Sequence, residues 1–175
     1  MRKFMLAAVG AALVVAPAGL VTAEAGASTG GHGAAAAALK AVNWPVVRQG
    51  ATGERVRVIQ LLLNQRGIRE VVDGSFGKDT TASVKAFQRA KRLVVDGHVG
   101  PATWEKLVLT IGRGARGDAV RALQGQLRNQ YGYRSVAVDG DFGASTQAAV
   151  KSFQTKRGLR ADGIVGLGTW KVLEA

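Results

Sequence analysis

The sequence predicts an all-α protein made of two tandem three-helix domains joined by a short linker, and three observations carry that expectation. The chain repeats itself at a shift of 64 to 66 residues, each copy places apolar residues at helical spacing, and an Asp-Gly turn pattern recurs four times between the helical stretches. With 47% hydrophobic and 21% charged residues in 175, the composition is that of a chain that folds rather than of a collagenous or disordered tract.

The repeat is the primary evidence. Gly50-Ala51-Thr52-Gly53-Glu54-Arg55-Val56-Arg57 aligns with Gly114-Ala115-Arg116-Gly117-Asp118-Ala119-Val120-Arg121. Past a two-residue insertion, Val72-Asp73-Gly74-Ser75-Phe76-Gly77 meets Val138-Asp139-Gly140-Asp141-Phe142-Gly143, and Thr103-Trp104 meets Thr169-Trp170. Residues 48–63 and 72–107 match their partners at 26 of 52 positions, which is duplication and not chance. The insertion falls between Leu63 and Val72 in one copy and between Leu127 and Val138 in the other, as expected of a surface loop.

The first helix of each copy is expected over about 54–66 or 118–130. Val56, Ile59 and Leu63, like Val120, Leu123 and Leu127, recur at i, i+3 and i+7 to form one apolar stripe, and Gly67 supplies a helix stop. The second helix carries Thr80, Val84 and Phe87, matched by Thr146, Val150 and Phe153. A third, shorter helix follows Gly100-Pro101, where proline suits the first turn, and presents Trp104 and Leu107, matched by Trp170 and Leu173. Phe76, Phe87, Trp104 and their partners Phe142, Phe153 and Trp170 are therefore core residues. Between helices the form Asp-Gly-x-apolar-Gly-x-x-Thr begins at Asp73, Asp96, Asp139 and Asp162: an Asx-type turn, a glycine free to take positive φ, and an apolar plug.

Residues 1–27 read as a secretory signal peptide: basic Arg2-Lys3, an apolar stretch from Phe4 to Val15, and small residues that permit cleavage after Ala25 or Ala27. Gly10, Pro17, Gly19 and Glu24 interrupt the run short of the ~20 apolar residues a spanning helix needs, so no membrane association is expected after cleavage. Residues 28–45 read as a flexible leader that carries His32 and an alanine run. The repeats are expected over 46–109 and 110–175.

The chemical inventory is sparse. Without cysteine there is no thiolate nucleophile, disulfide or Cys-ligated zinc, and with only His32 and His98 no histidine-rich metal centre. His98 takes the variable place of a turn whose counterpart is Ile164, a poor position for a catalytic base. Asp73, Asp96, Asp139 and Asp162 are accounted for by the turns. Asp139-Gly140-Asp141 lacks the sixth-position glycine and the closing Glu of a calcium loop. The glycines lack the Gly-Lys-Ser/Thr ending of a phosphate loop. No cofactor, no metal and no catalytic residue are expected, and the chain is not expected to be an enzyme.

Charge is the bias that remains, at 24 Lys plus Arg against 12 Asp plus Glu, or +12. Arg55, Arg57, Arg66 and Arg69, or Lys85, Arg89, Lys91 and Arg92, could track phosphates. Secretion argues against nucleic acid, leaving anionic wall polymers and peptide carboxylates as partners, or plain solvated helix faces. Trp44, Tyr131 and Tyr133 have no counterpart in the other copy, and an exposed ring there could stack on a sugar, although Trp44 could equally cap the first core.

The succession Gly-x-x-Gly-x-x-Val-x-x-(Leu/Ile)-Gln, Asp-Gly-x-Phe-Gly-x-x-Thr-x-x-(Ala/Ser)-Val-x-x-Phe-Gln and Leu-x-x-Asp-Gly-x-Val-Gly-x-x-Thr-Trp-x-x-Leu resembles the bacterial peptidoglycan-binding domain found on cell-wall hydrolases. The resemblance runs through both copies, over about 46–109 and 112–174. It implies a small three-helix module that binds the wall non-covalently and usually targets an attached hydrolase. The expected role is thus a secreted, cell-wall-associated, non-catalytic peptidoglycan binder, or else a regulatory or targeting partner of a separately encoded cell-wall hydrolase. Two linked weak sites on one polymer gain avidity, and the short Gly112-Arg113-Gly114 junction predicts a fixed orientation between them. Ligand contacts are expected at the loops after each first helix, at Asn64, Arg66 and Arg69 and at Tyr131, Tyr133 and Arg134. There arginine would pair with stem-peptide carboxylates and tyrosine would stack on sugars.

Overall fold

The computed structural model describes residues 42–175; the expected signal peptide, His32 and most of the leader lie outside them. Six α-helices occur among the described residues: α1 (Glu54–Gln65), α2 (Lys78–Ala90), α3 (Pro101–Leu107), α4 (Asp118–Gly125), α5 (Ala144–Lys156) and α6 (Leu167–Leu173). Helix α4 runs directly into a π-helical turn, Gln126–Gln130. Among the described residues no strand forms, only isolated antiparallel bridges, Val47–Val99 and Thr52–Ser75 in repeat 1 and Ile111–Val165 and Arg116–Asp141 in repeat 2.

Local chemistry sets the helix starts. Gly53 and Gly117 precede α1 and α4 with φ of 107° in both, a conformation that costs glycine nothing, and Glu54 and Asp118 put a negative charge in the first turn. Pro101 opens α3. The repeated apolar stripes meet as expected: Val56, Ile59, Leu63, Phe76, Val84, Phe87, Trp104 and Leu107 are buried, as are Val120, Leu123, Leu127, Phe142, Val150, Phe153, Trp170 and Leu173. Each tryptophan also satisfies its indole N–H, Trp104 by donating to the Pro45 carbonyl at 2.9 Å and Trp170 to the Leu109 carbonyl at 2.7 Å. Trp44 lies on Trp104, ring centroids 5.4 Å apart and planes 11° apart, so of its two expected roles it takes that of capping the first core. Packing of repeat 1 thereby takes in Trp44 and Pro45, just ahead of the expected boundary.

The two-residue insertion is only partly a loop feature. From Leu63 to the positive-φ Gly67 there are four steps, and from Leu127 to the positive-φ Gly132 there are five, the extra residue being absorbed by the π turn. The second inserted residue falls between Gly132 and Val138.

The repeats pack through α1 and α4, which run antiparallel. At one end the Gln65 side-chain oxygen accepts the Ala119 N–H at 3.2 Å, capping α4 from the other repeat. At the other end Asn129 donates to the Glu54 carboxylate at 3.2 Å. No helix among the described residues is long and apolar enough to cross a membrane.

Candidate functional site

Each Asp-Gly turn is held by a buried glutamine one residue past an apolar stripe position. Gln60 donates through Nε2 to Asp73 Oδ1 at 2.8 Å, to the Ser75 carbonyl at 3.2 Å and to Thr80 Oγ1 at 3.3 Å, and its Oε1 accepts the Gly74 N–H at 2.9 Å. Gln88, Gln124 and Gln154 repeat this pattern at the turns beginning at Asp96, Asp139 and Asp162. The sequence signal was present in Ile59-Gln60, Phe87-Gln88, Leu123-Gln124 and Phe153-Gln154, but only the structure shows why the polar member is buried.

The turn aspartates are thereby fixed as hydrogen-bond acceptors. Hydrogen bonds lower the pKa of Asp73, first from the Gln60 side chain and then from the Ser75 N–H. The His98 N–H does the same for Asp96 and the Asp141 N–H for Asp139. A carboxylate stabilised in this way is a poor general acid. Glu174 goes the opposite way: it is fully buried, and burial raises its pKa to about 7. Its Oε1 accepts Gln126 Nε2 at 2.9 Å and its Oε2 lies 3.5 Å from Arg55 Nε, across the seam between the repeats. Sealed from solvent, it has no substrate access.

The six expected contact residues form two groups. Asn64 lies in the last turn of α1 and not in the loop after it, Arg66 and Arg69 follow that helix, and Tyr131, Tyr133 and Arg134 follow the π turn that extends α4. Because those helices are antiparallel, the groups sit at opposite ends of the seam, on the order of 18 Å apart for a twelve-residue helix. Asn64 clamps the loop that follows, donating to the Glu70 carbonyl at 2.9 Å and accepting the Glu70 N–H at 2.8 Å. Arg66 donates to the carbonyls of Leu107 at 3.0 Å, Lys106 at 2.8 Å and Val108 at 2.7 Å, tying off the end of α3, and burial lowers its pKa. Tyr131 does the equivalent work in repeat 2: its hydroxyl donates to the Leu173 carbonyl at 2.8 Å and lies 3.3 Å from that of Val172. Burial raises the Tyr131 pKa.

The ring of Tyr131 meets Phe153 edge-on and carries the Arg157 guanidinium 5.1 Å from its centroid, while Lys156 lies 5.1 Å from the Tyr133 ring. Arg69 and Arg134 are exposed, and among the described residues their guanidiniums have no hydrogen-bond or ion-pair partner. Arg69 lines a recess of about 220 Å³ together with Asp73, Ser75 and Lys78.

A second recess, of about 310 Å³, opens along the seam and is lined from both repeats, by Arg57 and Val72 of one and Arg121 and Val138 of the other. Sequence reading did not single it out, because it exists only once the two copies are docked.

The described residues thus form two helical repeats with arginines beside surface recesses and turn carboxylates held by glutamines. The chain belongs to the family described as "Putative peptidoglycan binding domain", whose model matches twice, over residues 52–107 and 116–173. Among similar proteins, an N-acetylmuramoyl-L-alanine amidase, CwlL of Bacillus licheniformis, is 32% identical across 71% of this chain and 44% of its own length. The amidase CwlM of Mycobacterium tuberculosis is 38% identical across 60% of this chain and 29% of its own length. A zinc D-Ala-D-Ala carboxypeptidase of Streptomyces albus G is 43% identical across 41% of this chain and 27% of its own length. The chain thus spans less than half the length of these relatives. A solved peptidoglycan-binding protein of Clostridioides difficile is 41% identical, with 36% of this chain and 40% of that chain covered and a TM-score of 0.36.

Proposed function

We propose that this is a secreted, non-catalytic protein that binds cell-wall peptidoglycan through its two repeats. The observation that carries the reading is that both copies match the peptidoglycan-binding family, over 52–107 and 116–173. The non-catalytic part is supported by the absence of cysteine from the sequence and by the commitment of the turn aspartates to Gln60, Gln88, Gln124 and Gln154. Secretion is supported by the signal-like order of residues 1–27.

In this reading the segments carrying Asn64, Arg66 and Arg69, and Tyr131, Tyr133 and Arg134, face the polymer. Arg69 and Arg134 are the members free to pair with stem carboxylates, and the net charge of +11 left once residues 1–27 are removed, 22 Lys plus Arg against 11 Asp plus Glu, favours retention near anionic wall polymers. A second reading, a regulatory or targeting partner of a separate wall hydrolase, is favoured by the amidases among its relatives.

Co-sedimentation with purified peptidoglycan, stripped or not of anionic polymers, at low and high salt tests the proposal. Retention on stripped walls at high salt is expected, with no soluble fragments released from the wall. Binding confined to unstripped walls at low salt would reduce the interaction to charge alone and favour the hydrolase-partner reading. Release of muropeptides would overturn the non-catalytic assignment.

A further inference from the structure

The recess on the seam between α1 and α4 is built from equivalent positions of the two copies. Arg57 and Arg121 occupy the same place in their repeats, and so do Val72 and Val138, so the opening carries a guanidinium and an apolar wall from each side. Its floor is not symmetric. Leu61 of repeat 1 has Gly125 as its counterpart, and a Cβ at 125 would run into the Glu54 carboxylate. The glycine therefore leaves room that a second leucine would fill, and it lets Glu54 lie against α4, where Asn129 donates to it at 3.2 Å.

The two arginines are anchored unequally, Arg121 by one ion pair and Arg57 only weakly. Arg121 Nη1 donates to Asp118 at 2.8 Å, and Arg57 Nη1 makes a long contact of 3.5 Å with the Val72 carbonyl, while their stems lie over Gly140 and Gly74. A guanidinium has five N–H donors, so most remain available on both exposed side chains. Two cations, one carboxylate and apolar walls suit a ligand that carries carboxylates, a short aliphatic stretch and an amine.

We propose that this seam recess is a composite site for a carboxylate-bearing peptide, in the wall a stem peptide, with Arg57 and Arg121 holding carboxylates and Glu54 an amine. It rests on the wall-binding reading and deepens it: neither repeat has this site alone, because each supplies one arginine and one wall. Duplication here does more than add avidity, since it creates a site at the joint.

The test uses the full chain, a soluble muropeptide, the same disaccharide with its peptide removed, and purified peptidoglycan for pelleting. Backbone-amide NMR should show muropeptide-induced shifts at Arg57, Leu61, Arg121 and Gly125, and none there with the peptide-free disaccharide. Arg57→Gln combined with Arg121→Gln should weaken muropeptide binding about tenfold or more, the scale of losing charged hydrogen bonds. Val138→Trp, at a partly exposed rim position, should block the recess without removing charge. Arg89→Gln combined with Arg160→Gln, the same charge loss away from the recess, should leave muropeptide affinity unchanged.

Wild-type affinity in both recess variants, with wall pelleting intact, would overturn the composite site and leave wall binding standing. Equal shifts at the recess with the peptide-free disaccharide would overturn the ligand class. A wild-type chain that neither pellets with stripped walls nor binds the muropeptide would overturn the wall reading itself and the composite site with it.

Discussion

At one position on the seam, repeat 2 places the buried Gln126 and Glu174 beside Arg55 of repeat 1, whose side chain is 35% exposed while its Nε is buried. The corresponding positions with the repeats exchanged are Leu62, Val108 and Ala119, which are apolar and buried. The two copies thus keep their cores and Asp-Gly turns nearly unchanged and diverge where they touch. The polar trio is not fully satisfied, for Arg55 Nε, Gln126 Oε1 and Glu174 Oε2 are buried without a hydrogen-bond partner. Such groups are costly, and what they gain is specificity: a hydrogen-bonded carboxylate at one position and aliphatic side chains at the other distinguish the two sides of a near-symmetric joint.

The cores provide the largest contrast to break. Trp104→Ala and Trp170→Ala should each cost about 3–5 kcal/mol in urea unfolding. Trp104→Ala should lie at the upper end, because it also strips Trp44 of its stacking partner. Equal losses would mean that the Trp44 stack adds nothing to repeat 1.

Glu174 comes next. Burial raises its folded pKa to about 7 from an ordinary 4.5, so the folded state resists ionisation that the unfolded chain accepts freely. Its contribution is therefore fully present below about pH 4.5 and is lost as pH rises to about 7, where it levels off, at roughly 1.4 kcal/mol per pH unit across that window. Glu174→Gln should flatten the fall between pH 5 and 7 and make the protein more stable than wild type at pH 8, by an amount on the order of 3 kcal/mol. Identical pH profiles for the two proteins would show that the buried carboxyl titrates normally. Asp73, Asp96 and Asp139, with lowered pKa values, act in the opposite sense, since their stabilisation is lost as pH falls below the carboxylate range.

The contrast sharpens when each of the three positions takes the residue of its counterpart in the other repeat. Arg55→Ala with Gln126→Leu and Glu174→Val replaces the polar trio by its apolar counterpart. Replacement of a buried ionic group by packed hydrophobes is often neutral or stabilising by ~1–4 kcal/mol, and about 2 kcal/mol of gain at pH 8 is expected here. A net loss in urea titration would show that the trio stabilises the seam as well as orienting it.

Much of the fold was readable in the sequence because periodic burial leaves periodic residues: Val56, Ile59 and Leu63 announce a helix, and Asp73-Gly74 announces its turn. The division of the insertion was not, since a π turn adds one residue to a helix without any marker residue. Nor was the seam, because Gly125 opposite Leu61 and Gln126 opposite Leu62 look like drift until α1 and α4 are seen side by side. The expected contact residues show a different limit. Polar side chains in a loop look alike in sequence whether they face solvent or tie off a neighbouring helix, and Arg66 and Tyr131, unlike as they are, both bind the carbonyls that end the third helix.

That equivalence can be tested with the smallest change of all. Tyr131→Phe keeps the ring against Phe153 and under Arg157, and removes only the hydroxyl that reaches the Leu173 and Val172 carbonyls. It should cost about 1 kcal/mol of stability, the scale of one net hydrogen bond, and leave pelleting with peptidoglycan unchanged. Arg66→Ala removes bonds to three carbonyls and should cost more, on the order of 2 kcal/mol. If Tyr131→Phe instead leaves stability untouched and weakens wall binding, the hydroxyl serves the ligand and not the end of α6. The two repeats would then differ in function at a position where their geometry makes them the same.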